Sequence, residues 1–457
     1  MSITSNPRPP RVDIPEAVWN QADQLGTYIA RLASDHGPAL TFVPRVGPLA
    51  GREVVYLVGP EANRLVLLTQ RERFSHDRGW TPVIGEMLGH GLLNMDPPEH
   101  TRHRALMTPA FTAAFMASYL PLMHRIIAER TRRWLARDEI DLLAEAREIT
   151  FDVAAAALVG FATGPEVDWL RERFNVLLHG PNFREEAWEQ VVQRYTRAQE
   201  ELRARLLELI AARRQAPRDG QATDVLGMLV AARDERGQTL SDEQLLAHVN
   251  ILLVAGHETT TTLGAWLLYV LARERAIGAR LDAELSRVLG DRDAPLTPEA
   301  SRHLPLLAAA IREVGRLHPP VLLLPRGVLA PVDFGGYTIP PGTPVFLVVA
   351  AGHRLPNVFS DPERFDPDRF LPPREEDRRQ PYGLVTFGGG PRICLGINFA
   401  QVEVTALAAH VRRHYRLLPI PGRTITQIGG IVQSLPDGIP ARVEPLTAAT
   451  PRAGDNT

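Results

Sequence analysis

A single cysteine in 457 residues removes every internal disulfide from the folds open to this chain. The core must hold the fold, and the cysteine needs its own explanation. It stands in Phe387-Gly388-Gly389-Gly390-Pro391-Arg392-Ile393-Cys394-Leu395-Gly396, behind three glycines, beside an arginine and ahead of an apolar helical pattern from Ile397 to Leu418. Glycines let a backbone approach a flat partner closely. Arg392 and the positive end of the following helix both stabilise a negative sulfur. A thiolate ligand to a metal fits these surroundings; an inert thiol in a glycine-rich turn is the competing reading. Phosphate cradling does not fit, because no Gly-Lys-Ser/Thr follows and the chain has no Lys at all.

Hydrophobic residues form 44% of the chain, enough for a large core. A net charge of −2 gives no global field for nucleic acid or an anionic membrane. The proline-rich start, MSITSNPRPPRVDIPEAVWN, has no signal-peptide core. The apolar runs Val153–Ala162 and Leu263–Ala272 span about ten residues each, where a membrane-crossing helix needs roughly 20. These features predict buried core helices, no membrane anchor and, with a lone thiol, a cytoplasmic setting.

Helical periodicity marks Glu16–His36, Tyr119–Ala136, Trp188–Arg213 and Glu243–Glu274, and Val54–Val58 reads as a strand. A turn is expected at Pro217–Gly220. After Pro319 the texture changes: β-formers, Pro and Gly alternate from Val321 to Val349. A proline-rich stretch then runs from Pro356 to Pro381, and short strands are expected near Ile425–Val443. The pattern predicts a mainly α fold with small β-sheets. Residues 447–457 are expected to be a disordered tail.

Three further constellations carry chemistry. Leu252-Leu253-Val254-Ala255-Gly256-His257-Glu258-Thr259-Thr260 sets polar residues and a glycine inside an apolar helix, where Gly costs about 1 kcal/mol against Ala. Small residues there make room for a diatomic ligand, and a local widening of the helix would help. Glu258 and Thr259 are suited to proton relay. His257-Glu258 is not a zinc-protease motif, because the second His is absent; a solvent-facing or hydrogen-bonded role is expected for His257. Glu313 and Arg316 share a helix face ahead of Pro319-Pro320. Finally, His100-x-x-x-Arg104 sits on one helix face after Met95-Asp96-Pro97-Pro98-Glu99. His100 and His103 have metal-pair spacing, but no third ligand lies nearby in sequence.

Phe387, Gly390, Arg392, Cys394 and Gly396 reproduce F-x-x-G-x-R-x-C-x-G, and the chain resembles the cytochrome P450 superfamily, whose haem-ligand loop has that pattern. The resemblance extends over nearly the whole chain and implies the cytochrome P450 fold, with residues 1–446 as one haem-binding domain. It implies haem b as cofactor, with Cys394 as axial ligand to the iron. Phe387, Arg392, His100, Arg104 and Arg326 are the further cofactor-binding residues, the cationic ones toward the haem propionates. Gly256-x-Glu258-Thr259 is similar to the family's distal-helix motif, making Glu258 the acid and Thr259 the alcohol of an oxygen-activating pair. Glu313-x-x-Arg316 resembles a structural helix motif, and Asp361-Pro362-Glu363-Arg364-Phe365 resembles the meander that adds a third charge, here assigned to Arg364. Losing one member of such a buried network costs about 3–5 kcal/mol.

The implied reaction is insertion of one oxygen atom of dioxygen into a lipophilic substrate such as a fatty acid, terpenoid or polyketide. No electron-transfer module is recognisable in the chain, so electrons are expected from a ferredoxin or flavodoxin with its reductase. Substrate contacts are expected from Trp80 to Leu88, Phe174 to Phe183, Leu252 to Ala255, Leu322 to Leu324, and Ile431. Two alternatives stand beside this reading: a peroxide-driven haem-thiolate peroxygenase, disfavoured by Glu258-Thr259, and a non-enzymatic haem sensor or carrier.

Overall fold

The computed structural model describes residues 6–19, 21–45, 49–161, 163–179, 188–215 and 224–446. The turn expected at Pro217–Gly220, the pocket residue Phe183 and the tail from 447 lie outside the described residues. Along the chain, α1 (Ala22–His36) leads into β1 (Ala39–Phe42), β2 (Val54–Leu57) and β3 (Phe74–Ser75). Next come α2 (Asp77–Leu88), α3 (Glu99–Met107), α4 (Leu120–Arg132), β4 (Ile140–Asp141), α5 (Leu142–Val159) and α6 (Pro165–His179). The helical body continues through α7 (Trp188–Gln215), α8 (Val225–Ala231), α9 (Asp242–Arg273), α10 (Arg275–Leu289) and α11 (Pro305–Leu317). The last part carries β5 (Leu323–Val328), β6 (Val332–Phe334), β7 (Tyr337–Ile339), β8 (Pro344–Val348), α12 (Ile397–His414), β9 (Tyr415–Pro419) and β10 (Pro440–Pro445).

Helix α9 organises this body. Ser241 caps it reciprocally with Gln244, which engages donors that the first turn leaves without partners. Its 32 residues span about 48 Å at 1.5 Å per residue. Apolar residues surround it on most sides, as expected of a buried helix, and it packs along α5, α12, α7 and α11. Thr150 of α5 and Thr261 of α9 share a 2.6 Å hydrogen bond across the closest of these contacts.

The sheets flank the helices. A five-stranded sheet has the order β1-β2-β8-β5-β3, with β2 parallel to β8 and the other pairs antiparallel. A second sheet runs β4-β10-β9, and β6-β7 form a hairpin. This is the mainly α architecture with small sheets that the pattern predicted. The final helix is shorter than expected. It ends at His414, not Leu418, because residues 415–419 pair with β10, Tyr415 opposite Pro445; Tyr415 and Leu417 then bury one face with the period of a strand.

Phe174, expected at a substrate pocket, is fully buried in the helical core, its ring 6.0 Å from that of Phe151. Leu177, Leu252 and Leu253 also pack in or against that core, and Leu322 and Leu323 belong to a separate cluster, whereas several other candidates converge. Trp80, Ile84 and Leu88 of α2 pack with Ile251 of α9, and Met87, Val254, Leu324 and Ile431 border this small cluster.

Candidate active site

The cysteine loop is shaped by glycine. Gly388 and Gly390 have φ of +71° and +61°, a region costly for residues with a Cβ. At Gly390 a Cβ would lie 2.1 Å from the Leu67 carbonyl oxygen. The Cys394 N–H donates to the Phe387 carbonyl at 2.9 Å, closing the loop ahead of α12. Cys394 itself is exposed. Enough protein surrounds its sulfur, however, that burial raises the thiol pKa, opposed by the Gly396 backbone and the Arg104 charge.

Beneath the loop lies a buried charged network. Arg316 makes a bidentate pair with Glu313, Nε to Oε2 at 2.7 Å and Nη2 to Oε1 at 2.8 Å. The third charge is Arg369, whose Nε donates to Glu313 Oε1 at 3.0 Å. Arg364, the expected member, is exposed, and only its carbonyl takes part, accepting from Arg316 and Arg369. Asp361-Pro362-Glu363-Arg364-Phe365 and Asp366-Pro367-Asp368-Arg369-Phe370 are near-repeats. The second enters a 3-10 turn at Pro367–Phe370 packed on α11, and this carries its arginine inward. His353 links the network to the loop: Nδ1 donates to the Arg316 carbonyl at 3.2 Å and Nε2 accepts from Val385 N–H at 3.0 Å. Burial, aided by Arg316, pushes its pKa down to about 3, which keeps Nε2 an acceptor.

A cationic cluster adjoins the cysteine. Arg326 on β5 is 4% exposed; burial and then Arg392 lower its pKa to about 9. Arg392 donates to the Met95 carbonyl at 2.7 Å, and burial, with Arg104 adding to it, lowers its pKa to about 10. His100, also buried, falls to about 3 through burial, then Arg392 and Arg104. His76, which the sequence did not single out, is held well below its ordinary value by burial and by Arg326 and Arg392. Asp96 is the carboxylate felt by Arg326 and Arg392. Its oxygens already accept from the His76 N–H and the Ser75 hydroxyl. Three guanidiniums and one engaged carboxylate leave surplus positive charge in a desolvated place, the setting a bound dianion would neutralise. The His100–His103 metal pair is not formed. His103 Nδ1 meets His248 Nε2 of α9 at 2.8 Å, and no cluster able to hold a metal ion occurs among the described residues.

On α9 the expected widening is absent, for residues 242–273 are α-helical throughout. The hydroxyls of Thr259, Thr260 and Thr262 donate to the carbonyls of Ala255, Gly256 and Glu258 at 2.8, 3.0 and 3.2 Å, so polar side chains are satisfied without opening the helix. Arg147 of α5, another residue the sequence did not mark, pairs with Glu258 at 3.3 Å. His257 is fully buried and bonded through Nδ1 to the Leu253 carbonyl at 2.9 Å; of its two expected roles, the hydrogen-bonded one holds.

Residues 15–431 match the cytochrome P450 family model. The chain belongs to the cytochrome P450 family. It is 35% identical over 400 residues to cyclooctatin synthase of Streptomyces melanosporofaciens, covering 83% of each chain. Cyclooctat-9-en-7-ol 5-monooxygenase of the same organism is 30% identical, across 90% of this chain and 88% of the relative. The structure of a retinoic acid-bound cyanobacterial P450, CYP120A1, superposes with a TM-score of 0.82 at 27% identity, covering 97% of this chain and all of that one. The protein is therefore a monooxygenase that works with a haem-thiolate cofactor, dioxygen and a redox partner. No helix among the described residues is long and apolar enough to cross a membrane.

Proposed function

We propose that Cys394 would supply the thiolate ligand to haem b in this P450, in a single domain formed by residues 1–446, and that the enzyme oxidises a lipophilic substrate in the cytoplasm. The observation that carries the assignment is the desolvated cationic cluster beside the lone cysteine, close enough that the Arg104 charge acts on its sulfur. Arg104, Arg326, Arg392 and His100 would hold the two propionates, with Phe387 in the loop wall. Burial favours the neutral thiol at Cys394, and a coordinating metal deprotonates such a thiol outright. When bound, the haem thiolate supplies dioxygen activation, its sulfur favouring O–O cleavage.

The chain's own residues do the rest. The Thr259 hydroxyl donates to the Ala255 carbonyl, which leaves its oxygen lone pairs to accept a hydrogen bond from the distal side. Glu258, fixed by Arg147, is the acid that feeds protons to it. Trp80, Met87, Val254, Leu324 and Ile431 give the substrate an apolar wall. The relatives named for an unsaturated alcohol and for retinoic acid support a terpenoid-like substrate over a polar one. Electrons come from a ferredoxin or flavodoxin with its reductase.

Three measurements test this. Cys394→Ala should lose the red-shifted band of the reduced carbonyl complex; its survival would refute the ligand assignment. Thr259→Ala should keep haem but uncouple electron consumption from product. Turnover should need reductant and redox partner, and equal turnover with peroxide alone would favour the peroxygenase. A spin-shift titration across lipophilic compounds identifies the substrate class.

A further inference from the structure

Three buried polar side chains form a chain of hydrogen bonds that has no task in the reaction described above. Trp266 of α9, Gln427 and Gln433 are 3%, 7% and 5% exposed. The Trp266 indole N–H can only donate, and it donates to Gln433 Oε1 at 2.7 Å. That fixes the Gln433 amide, whose nitrogen faces the other way and donates to Gln427 Oε1 at 2.9 Å. The bonds therefore run in one direction, from α9 into the segment that follows Gln427. The same indole lies flat on the ring of His318, the residue that ends α11, with centroids 3.8 Å apart and planes at 6°. The two glutamines stand at the feet of a closed loop. Ile428 N–H donates to the Ser434 carbonyl at 2.8 Å, and Ser434 N–H donates back to the Ile428 carbonyl at 3.2 Å. Ile431 lies inside that loop, directly after Gly429 and Gly430, and two glycines leave the backbone ahead of it free to take several courses. Its carbonyl accepts from Leu322 N–H at 2.8 Å. Its side chain borders the cluster of Trp80, Ile84, Leu88 and Ile251.

We propose that the Trp266–Gln433–Gln427 chain sets how deep Ile431 stands in the substrate wall, which makes Gln433 a specificity-determining, positioning residue that acts through Ile431. The proposal rests on the reading of Ile431 as part of that wall. A buried amide or indole N–H is costly once its partner is lost. Sliding the loop toward or away from α2 would strand all three groups in a desolvated place, and that penalty holds the loop at one depth although its glycines permit others. Backbone bonds from Gln433 N–H to the Pro320 carbonyl and from Leu322 N–H to Ile431 fasten the loop to the residues after α11. The glutamine chain fastens it to α9. Trp266 is a firm anchor, because its ring is stacked on His318. The depth of Ile431 sets the room a lipophilic molecule has between the loop and α2, and hence which stretch of it is held for oxidation.

The test uses the full-length, haem-loaded ferric protein and two nitrogen ligands, imidazole and N-dodecylimidazole, titrated by the shift of the haem absorption band. The head group is common to both, so the ratio of their Kd values isolates the alkyl tail. Gln433→Leu is expected to change that ratio by about tenfold, the effect of one misplaced methylene in an apolar pocket, while the Kd of imidazole itself stays within about twofold. Trp266→Phe keeps a ring on His318, removes the N–H, and should reproduce the change. Ile431→Ala should change the ratio too. The Gln433→Leu/Ile431→Ala double variant should then go no further than Ile431→Ala alone, because residues that act as one unit are not additive. A role in stability alone would lower the urea midpoint and leave the ratio where it was. If Ile431→Ala moves the ratio while Gln433→Leu and Trp266→Phe leave it within about twofold, this proposal is wrong and the wall reading stands. Additive effects in the double variant would overturn it as well, since the chain would then act elsewhere than on Ile431. If Ile431→Ala leaves the ratio unchanged, the wall reading itself fails. Should Gln433→Leu not accumulate, Trp266→Phe carries the comparison.

Discussion

Arg369→Ala, set against Arg364→Ala, tests which arginine completes the buried network. The Arg369 guanidinium makes five hydrogen bonds: to Glu313 Oε1 at 3.0 Å, Glu376 Oε2 at 2.8 Å, and the carbonyls of Ser360, Asp361 and Arg364 at 2.7, 3.2 and 3.2 Å. Its loss does not strand a bare charge. Glu313 keeps both bonds from Arg316 and one from the Asp366 N–H. Glu376 keeps Arg374 and Ser360. What remains is three carbonyls without this donor and two carboxylates each short of one partner. That places the cost near the lower end of the range for breaking a buried pair, about 3 kcal/mol, or more than a hundredfold in the folded-to-unfolded ratio at about 1.4 kcal/mol per decade. Arg316→Ala removes the bidentate pair as well and should approach about 5 kcal/mol. Arg364 contributes only its carbonyl, which alanine also has, so Arg364→Ala should stay within about 0.5 kcal/mol. Urea unfolding followed by tryptophan fluorescence, with the carbonyl band as a check on haem retention, measures all three. Equal losses for Arg364→Ala and Arg369→Ala, or none for Arg369→Ala, would refute the reasoning.

Three further outcomes are expected. Gly390→Ala puts a Cβ 2.1 Å from Leu67 O at a φ of +61°; the conformation alone costs about 1–2 kcal/mol, so the purified variant should show a reduced haem-to-protein ratio with near-native circular dichroism. Arg326→Leu should act in opposite directions, raising the melting temperature of haem-free protein by relieving repulsion from Arg392 while speeding haem loss to a scavenger protein; a fall in both stabilities would refute the charge argument. His353 and His318 each have a folded pKa near 3 against an ordinary 6.5, chiefly through burial. Between those values the unfolded chain binds more protons, so the stability of the neutral forms is complete above about pH 6.5 and is lost as pH falls toward 3, at about 1.4 kcal/mol per pH unit for each proton. Urea midpoints should drop over that window, and His353→Gln should flatten part of the slope.

Residues adjacent in the chain were legible. The loop around Cys394, the polar turn of α9 and the Glu313-x-x-Arg316 helix each place their groups within one turn or loop, so local backbone geometry already dictates which side chains meet. Helix and strand types followed from periodicity for the same reason. Arg369 was not legible, because two near-identical pentads differ only in which one the fold tucks against α11. Nor was the task of Phe174, whose apolar face suits a core or a pocket equally, or the end of α12, where pairing with the distant β10 overrides helical pattern. His76, Arg147 and His353 carry no local signal at all: each matters through a partner at least 20 residues away in sequence.

The sequence by itself determined the family, the mainly α architecture and the short motifs that hold cysteine, acid and alcohol, because these depend on spacing within one element. Only the tertiary structure decided which arginine closes the network under the loop, that the cations beside Cys394 lack matching carboxylates, and that Arg147 of a remote helix pairs with Glu258. Those are facts of burial and of contact between remote segments. Desolvation and charge pairing act on distance in space, and that distance is set only when the helices and sheets pack.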